Sequence, residues 1–225
     1  MRIVGGALRG RKLRVPSGKL TRPTTERVRE ALFNTLGTTV QDCAVLDLYA
    51  GSGSLGIEAL SRGARLAVFV EMAGSAASVL RENLSRLPVN GSAVAHVIQR
   101  SISHSMSAIS AFAPFGLCLV DPPFAAVRDC SAMRAVEMVV AAGVLSPNAT
   151  VVFEYPSDEP EPLLGGLERF DIRSYGDTSL AFCQLVGATS TRPTNQTANR
   201  APVSADFCTT TLYTRDTFEP GKGHT

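Results

Sequence analysis

Between Cys43 and about Val186 the sequence switches repeatedly between two periods. Short apolar runs, "CAVLDL", "LAVFVE", "AVAHVI", "GLCLVD" and "TVVFEY", alternate with stretches of helical spacing near residues 54–62, 73–87, 103–112 and 128–142. A helix between two strands carries the chain back across the sheet, so the strands pair in parallel. Strands covered by helices on both faces are apolar throughout. The alternation therefore predicts an α/β fold with a Rossmann-like parallel order 3-2-1-4-5. The later segment "ERFDIRSYGDTSLAFCQLV" holds two β-like runs around "YGDT", a turn signal containing Gly and Asp. It predicts an antiparallel hairpin on the sheet edge, which completes a seven-stranded mixed sheet flanked by helices.

The first 40 residues have a different character. Residues 1–22 are rich in Gly, Arg and Lys, and their β-like runs "RIVGG" and "RKLRVP" predict a small hairpin across a turn near Gly10. Pro23 then opens a helix in "TTERVREALFNTL". Thr24 or Thr25 is its N-cap, Glu26 lies in its first turn and Gly37 stops it. Val28, Ala31, Leu32, Thr35 and Leu36 share one face, and Arg27, Glu30 and Asn34 the other. The chain's net charge of +2 hides a segregation: residues 1–30 carry nine basic and two acidic side chains, the remainder 13 basic and 18 acidic. A basic arm on a mildly acidic body suits a polyanion partner. Arg9, Arg11, Lys12, Arg14, Arg22 and Arg27 are its candidate contacts.

A chain of 225 residues, 44% hydrophobic, can bury one sizeable core. The organisation expected is a basic extension over 1–40, a main domain over 41–187 and a Thr/Asn/Pro-rich tail over 188–225 that should be disordered. The five cysteines are scattered, with no CxxC pair, which suggests neither a disulfide framework nor a zinc site. No run is long and apolar enough to span a membrane and no signal peptide is visible, so a cytoplasmic location is expected. His96, His104 and His224 have no ligand or triad spacing, and no metal is expected.

The segment most indicative of chemistry is "VLDLYAGSGSLGIEAL", residues 45–60. An apolar strand ends at Asp47, a small-residue turn follows, and a helix begins near Ser54. Glycines let a ligand approach the chain closely, and the backbone N–H groups of Gly51, Ser52 and Gly53 are expected to face it. Glu71, about 20 residues further on at the next strand end, stands where an acidic residue accepts ribose hydroxyls. The pattern reads as a nucleoside-cofactor site. The frame "AGSGSLG" departs from the dinucleotide form, the chain has no second large domain for a hydride acceptor, and a P-loop lacks its G-K-[ST]. S-adenosylmethionine fits better. Asp47 would anchor its ammonium, Glu71 its ribose, and the turn "QRSIS" its adenine. Tyr49, Met72 and Ser101 complete the expected contacts.

At the end of the fourth run stands "DPPF", residues 121–124. In the order 3-2-1-4-5 this strand neighbours the one bearing the glycine turn, so Asp121 borders the same crevice. Pro122 and Pro123 stiffen the backbone and withhold N–H donors, leaving carboxylate and carbonyl acceptors. Phe124 offers a flat ring. Acceptors beside a ring describe a pocket for a planar base with an exocyclic amino group.

Together, "DPPF", "DLYAGSGSLG", "GGALRGRKLRVP", "RPTTERVREALFN" and "YGDT", in that setting, resemble the bacterial 16S ribosomal RNA guanine-N2 methyltransferases of the RsmD type. These are class I S-adenosylmethionine-dependent enzymes, and the resemblance spans residues 1 to about 186. It implies that Asp121, Pro122, Pro123 and Phe124 are catalytic, that the partner is 16S rRNA, alone or in the small ribosomal subunit, and that the protein is a monomer. Where many relatives carry an acidic residue near the adenine, this chain has Arg100 and Ser101. Two other readings stay open: an RNA-binding module that keeps the fold without catalysis, and an NAD-dependent oxidoreductase.

Overall fold

A computed structural model describes residues 1–16, 25–87 and 94–187. Arg22, Pro23, Thr24, His224, Cys208 and the segment after Gly187 lie outside the described residues. The sheet has seven strands: β1 (Ala44–Leu48), β2 (Leu66–Val70), β3 (Val94–Ile98), β4 (Phe115–Val120), β5 (Leu145–Pro156), β6 (Leu167–Tyr175) and β7 (Thr178–Leu185). Their order is β3-β2-β1-β4-β5-β7-β6. The first five strands are parallel, and β7 pairs antiparallel with both β5 and β6. The hairpin turns at Gly176 and Asp177, as "YGDT" predicts, with Gly176 at φ 67°.

β1 and β2 are buried at every residue because each face of the sheet is covered. Leu46 and Leu48 point into one core with Val68, Val120 and Val136, while Val45 points into the other with Phe33, Ile57 and Phe69. The outer strand β6 alternates Glu168, Arg169, Asp171 and Arg173 along an exposed edge, and such charges discourage further strand pairing.

Among the described residues six α-helices surround the sheet: α1 (Glu26–Leu36), α2 (Ser54–Ser61), α3 (Gly74–Ser85), α4 (Met106–Ser110), α5 (Phe124–Arg128) and α6 (Ser131–Ala141). In α1 the Thr25 side chain accepts from Val28 N–H at 3.2 Å, and Arg27, Glu30 and Asn34 face outward as the pattern predicts. Arg29 and Phe33, which that pattern did not place inside, are buried. The stretch expected as one helix over 103–112 is divided into a 3₁₀ turn, Ile102–His104, and α4. The stretch at 128–142 becomes α5 and α6. Pro123 starts α5 four residues early, and Cys130, at φ 60°, separates the two helices, with Asp129 Oδ1 accepting from Ser131 N–H at 2.9 Å.

The N-terminal hairpin turns near Gly10, at φ 83°, and pairs through one antiparallel bridge, Arg2 with Lys12. Around it Ile3 N–H donates to the Arg11 carbonyl at 3.0 Å, Gly10 N–H to the Ile3 carbonyl at 2.8 Å and Leu13 N–H to the Met1 carbonyl at 2.9 Å, and the same residues are stitched to α2. Val4 N–H donates to Glu58 Oε2 at 2.9 Å, Leu8 N–H to Ser61 Oγ at 2.9 Å, and Ala7 N–H to the Ser61 carbonyl at 2.7 Å. Ile3, Leu8 and Leu13 are buried in the same core as α1 and α2. With the sheet on one side and this arm on the other, α2 is buried along its whole length. Among the described residues no helix is long and apolar enough to cross a membrane.

Candidate active site

Three loops meet at one level of the sheet. Leu48 is in register with Val70 of β2 and Val120 of β4, so Tyr49, Glu71 and Asp121 are the first residues beyond three adjacent strand ends. Ile98 lies opposite Val70, which brings Gln99 and the turn leading to Ser101 to the same rim.

The glycine turn runs through left-handed backbone at Tyr49, Gly51 and Gly53, with φ of 59°, 56° and 84°. Tyr49 holds this conformation at a cost of about 1–3 kcal/mol, a strain of the kind concentrated at functional loops. At Gly53 a Cβ would also stand 2.2 Å from Leu80 Cδ1, so the turn can press against α3 only with glycine there. Two of the three amides expected to face a ligand are engaged within the protein. Gly51 N–H donates to Glu71 Oε2 at 2.8 Å and Gly53 N–H to the Ala50 carbonyl at 2.7 Å. Ser52 is buried, and its carbonyl accepts from Asn83 Nδ2 at 2.9 Å.

Three acids stand around the turn. Glu71 holds the turn through Gly51 and accepts from Ala73 N–H at 2.6 Å with its other oxygen. Asp47 is 1% exposed and reaches up from β1, its Oδ2 accepting from Gly56 N–H at 2.8 Å. Gly53 caps α2 without a side chain, so Asp47 does from the strand below what an N-cap carboxylate ordinarily does from the chain. A Cβ on Gly56 would meet Asp47 Oδ2 at 2.9 Å and the Phe69 ring at 2.3 Å, so this contact requires glycine. Burial pushes the Asp47 carboxyl up to about 8, the Gly56 amide opposes the shift, and the charges of Asp121 and Glu71 add to it. All three acids therefore act on one region.

Asp121 is half-buried, Pro122 buried, Pro123 exposed and Phe124 half-buried as the first residue of α5. The Pro123 carbonyl is taken by Ala126 N–H at 2.8 Å. Met72 is 70% exposed beside Glu71. The Ser101 hydroxyl lies 2.8 Å from His104 Nδ1, and its carbonyl accepts from Ser105 Oγ at 2.7 Å; Arg100 is exposed. His96 stacks on Phe112 with ring centroids 4.3 Å apart.

Of the basic candidates, Arg9, Arg11, Lys12 and Arg27 are exposed or half-exposed. Arg9 and Arg27 line a groove of about 340 Å³ with Arg2, Glu26 and Glu30. Arg14 is committed to Glu82, with two contacts of 2.6 and 2.8 Å. Arg22 is outside the described residues.

Sequence reasoning missed the residues that join the arm to the site. Glu58 is fully buried and accepts from Val4 N–H and from Arg62 Nε at 2.8 Å, and it pairs with Arg29 Nε at 3.5 Å. Arg29 in turn donates to the Arg2 carbonyl. A lone acid inside the apolar helix "SLGIEALS" was the available signal for Glu58. Asn83 carried none.

A family model described as conserved hypothetical protein 95 matches residues 1–184. Ribosomal RNA small subunit methyltransferase D of Escherichia coli strain K12 is 44% identical over 130 residues, 55% of this chain and 60% of that protein. The chain thus spans about 60% of the length of the first curated relatives it matches. The protein of that name from Haemophilus influenzae is 38% identical over 160 residues, 71% of this chain and 81% of its own. Among solved structures, a hypothetical protein of Thermus thermophilus superposes with a TM-score of 0.68 at 29% identity, covering 82% of this chain and 99% of that one.

Proposed function

The chain belongs to the conserved hypothetical protein 95 family, and from that premise we propose that it is a small-subunit ribosomal RNA methyltransferase, using S-adenosylmethionine to methylate the N2 amino group of a guanine in 16S rRNA. The observation that carries the cofactor is the convergence of Asp47, Glu71 and Asp121 on a glycine turn whose Gly51 and Gly53 amides are already engaged. A dinucleotide's pyrophosphate needs free amide donors at that place. A cationic cofactor needs carboxylates, so the donor set fits a sulfonium and ammonium ligand and disfavours the oxidoreductase reading.

When bound, the cofactor supplies an electrophilic methyl group. Glu71 would hold the ribose, Ser101 and the exposed Met72 would flank the adenine, and Asp47 would favour the ligand's positive charge from beneath the turn. The guanine amino group is a poor nucleophile because its lone pair is delocalised into the ring. Asp121 and the Pro122 carbonyl accept its two hydrogens, which localises that pair on nitrogen and stabilises the positive charge that develops there. Preorganised acceptors of this kind contribute about 100- to 1000-fold in rate. Phe124 stacks on the extruded base, worth roughly 1–3 kcal/mol. Asp121 at the mouth of the crevice favours an enzyme over a binding module that merely keeps the fold.

In this reading residues 41–187 carry the chemistry and residues 1–40 the RNA contact, with Arg9, Arg11, Lys12 and Arg27 on phosphates. The protein works as a monomer in the cytoplasm, where small subunits are assembled. Incubating it with methyl-labelled cofactor and small subunits from cells lacking the endogenous activity, then mapping the label, tests the proposal. Label on one guanine N2 is expected; label elsewhere or none overturns it.

A further inference from the structure

Asn83, in the last turn of α3, is 3% exposed and joins two segments that are distant in sequence. Its Oδ1 accepts from Arg14 N–H at 2.8 Å, while Nδ2 donates to the Arg14 carbonyl at 3.0 Å and to the Ser52 carbonyl at 2.9 Å. One amide therefore clasps the backbone of the basic arm as a paired strand would, and spends its second hydrogen on the glycine turn. Beside it Glu82 takes the Arg14 guanidinium. Leu13 is buried, and Arg11 and Lys12 immediately before it are exposed.

We infer that Asn83 is a positioning residue that couples RNA binding on the arm to cofactor binding at the turn. The inference rests on the methyltransferase reading above. Both amide hydrogens are engaged, so the side chain cannot follow the arm without moving relative to Ser52. Glu71 and the Ala50 carbonyl hold the turn from the body, and Asn83 ties it to the arm. RNA that fixes Arg11 and Lys12 restrains Arg14, and through Asn83 the Ser52 carbonyl; the turn is then already ordered when the cofactor arrives. Ordering by one ligand lowers what the second must order, which is positive cooperativity, and it must be reciprocal.

The test is calorimetric titration of S-adenosylhomocysteine into the full chain, with and without a saturating small-subunit RNA hairpin. In the native chain the RNA should tighten cofactor binding about five-fold or more, within the usual range of coupling between sites. In Asn83→Ala that ratio should fall to near one, although each ligand still binds alone. Loss of general stability would weaken both titrations and leave their ratio unchanged. Glu82→Gln, which removes the Arg14 ion pair and keeps the clasp, should retain the ratio. Hydrogen exchange on the native chain decides the matter even if Asn83→Ala fails to fold: S-adenosylhomocysteine alone should slow exchange of the Arg14 amide. Binding of both ligands without coupling, or an Arg14 amide indifferent to the cofactor, overturns this inference alone. Absence of cofactor binding overturns the functional reading as well.

Discussion

At the scale of single residues, the site is a contest between burial and charge. Asp121 is proposed to act on the reacting amino group, so Asp121→Asn should lower single-turnover methyl transfer by about 100- to 1000-fold. Its cofactor affinity should stay within about three-fold, and a near-normal rate would remove the residue from the mechanism. Asp47 gives a pH signature. Its folded carboxyl is raised from 3.8 to about 8, so the folded state keeps a proton that the unfolded chain loses. Its stabilising contribution is complete below about pH 4 and is lost as the pH rises to about 8. The melting temperature of the native chain relative to Asp47→Asn should fall steadily across that window and then level. A cationic ligand above the same carboxyl should also expel its proton, seen at pH 7 as a buffer-dependent heat of S-adenosylmethionine binding. A buffer-independent heat would mean that Asp47 does not sense the ligand. These residues were legible in the sequence as acids at strand ends. Their protonation was not, because it depends on Asp47, Glu71 and Asp121 coming together from positions up to 74 apart in the chain.

At the scale of elements, the decisive object is α2, enclosed between the sheet and the arm. Glu58 there binds Val4 N–H, Arg62 and Arg29, and Arg62 lies over the Phe33 ring at 5.2 Å. Burial lowers the Arg29 pKa while Glu58 acts to raise it, so Glu58 is what compensates that buried cation. Breaking a buried pair by removing one partner costs about 3–5 kcal/mol. Glu58→Ala should therefore destabilise the fold by about that amount in urea denaturation, and a change below about 1 kcal/mol would show that the arm is not held this way. Most strand and helix boundaries followed the apolar periodicity, although β5 starts at Leu145, ahead of "TVVFEY", and the stretch at 103–112 is split. The division into α5 and α6 did not follow it, because one residue, Cys130, takes left-handed backbone that its side chain does not announce.

At the scale of the whole molecule, the basic arm and the α/β body share a core through Ile3, Leu8 and Leu13. Their electrostatic roles can still be separated. Replacing Arg9, Arg11 and Lys12 by Gln removes exposed charge and leaves those buried residues in place. Three lost phosphate contacts should flatten the slope of log RNA affinity against log salt by about 2. An unchanged slope would place RNA recognition elsewhere. Removing residues 1–16 outright is a different experiment: it uncovers α2 and strips Glu58, Arg29 and Asn83 of their partners on the arm, so it should abolish cooperative unfolding altogether.

The sequence by itself determined the α/β class and the edge hairpin, and the doubly-wound class brought the strand order with it. Class and hairpin follow from information local to a segment: apolar periodicity and turn residues. Only the tertiary structure decided that the amides of Gly51 and Gly53 are spent within the site, that Asp47 caps α2, and that Glu58 and Asn83 bind the arm to the body. Those facts depend on which hydrogen-bond partner lies within about 3 Å across elements remote in sequence. No periodicity encodes that; a buried polar group is satisfied by whatever the completed fold brings beside it.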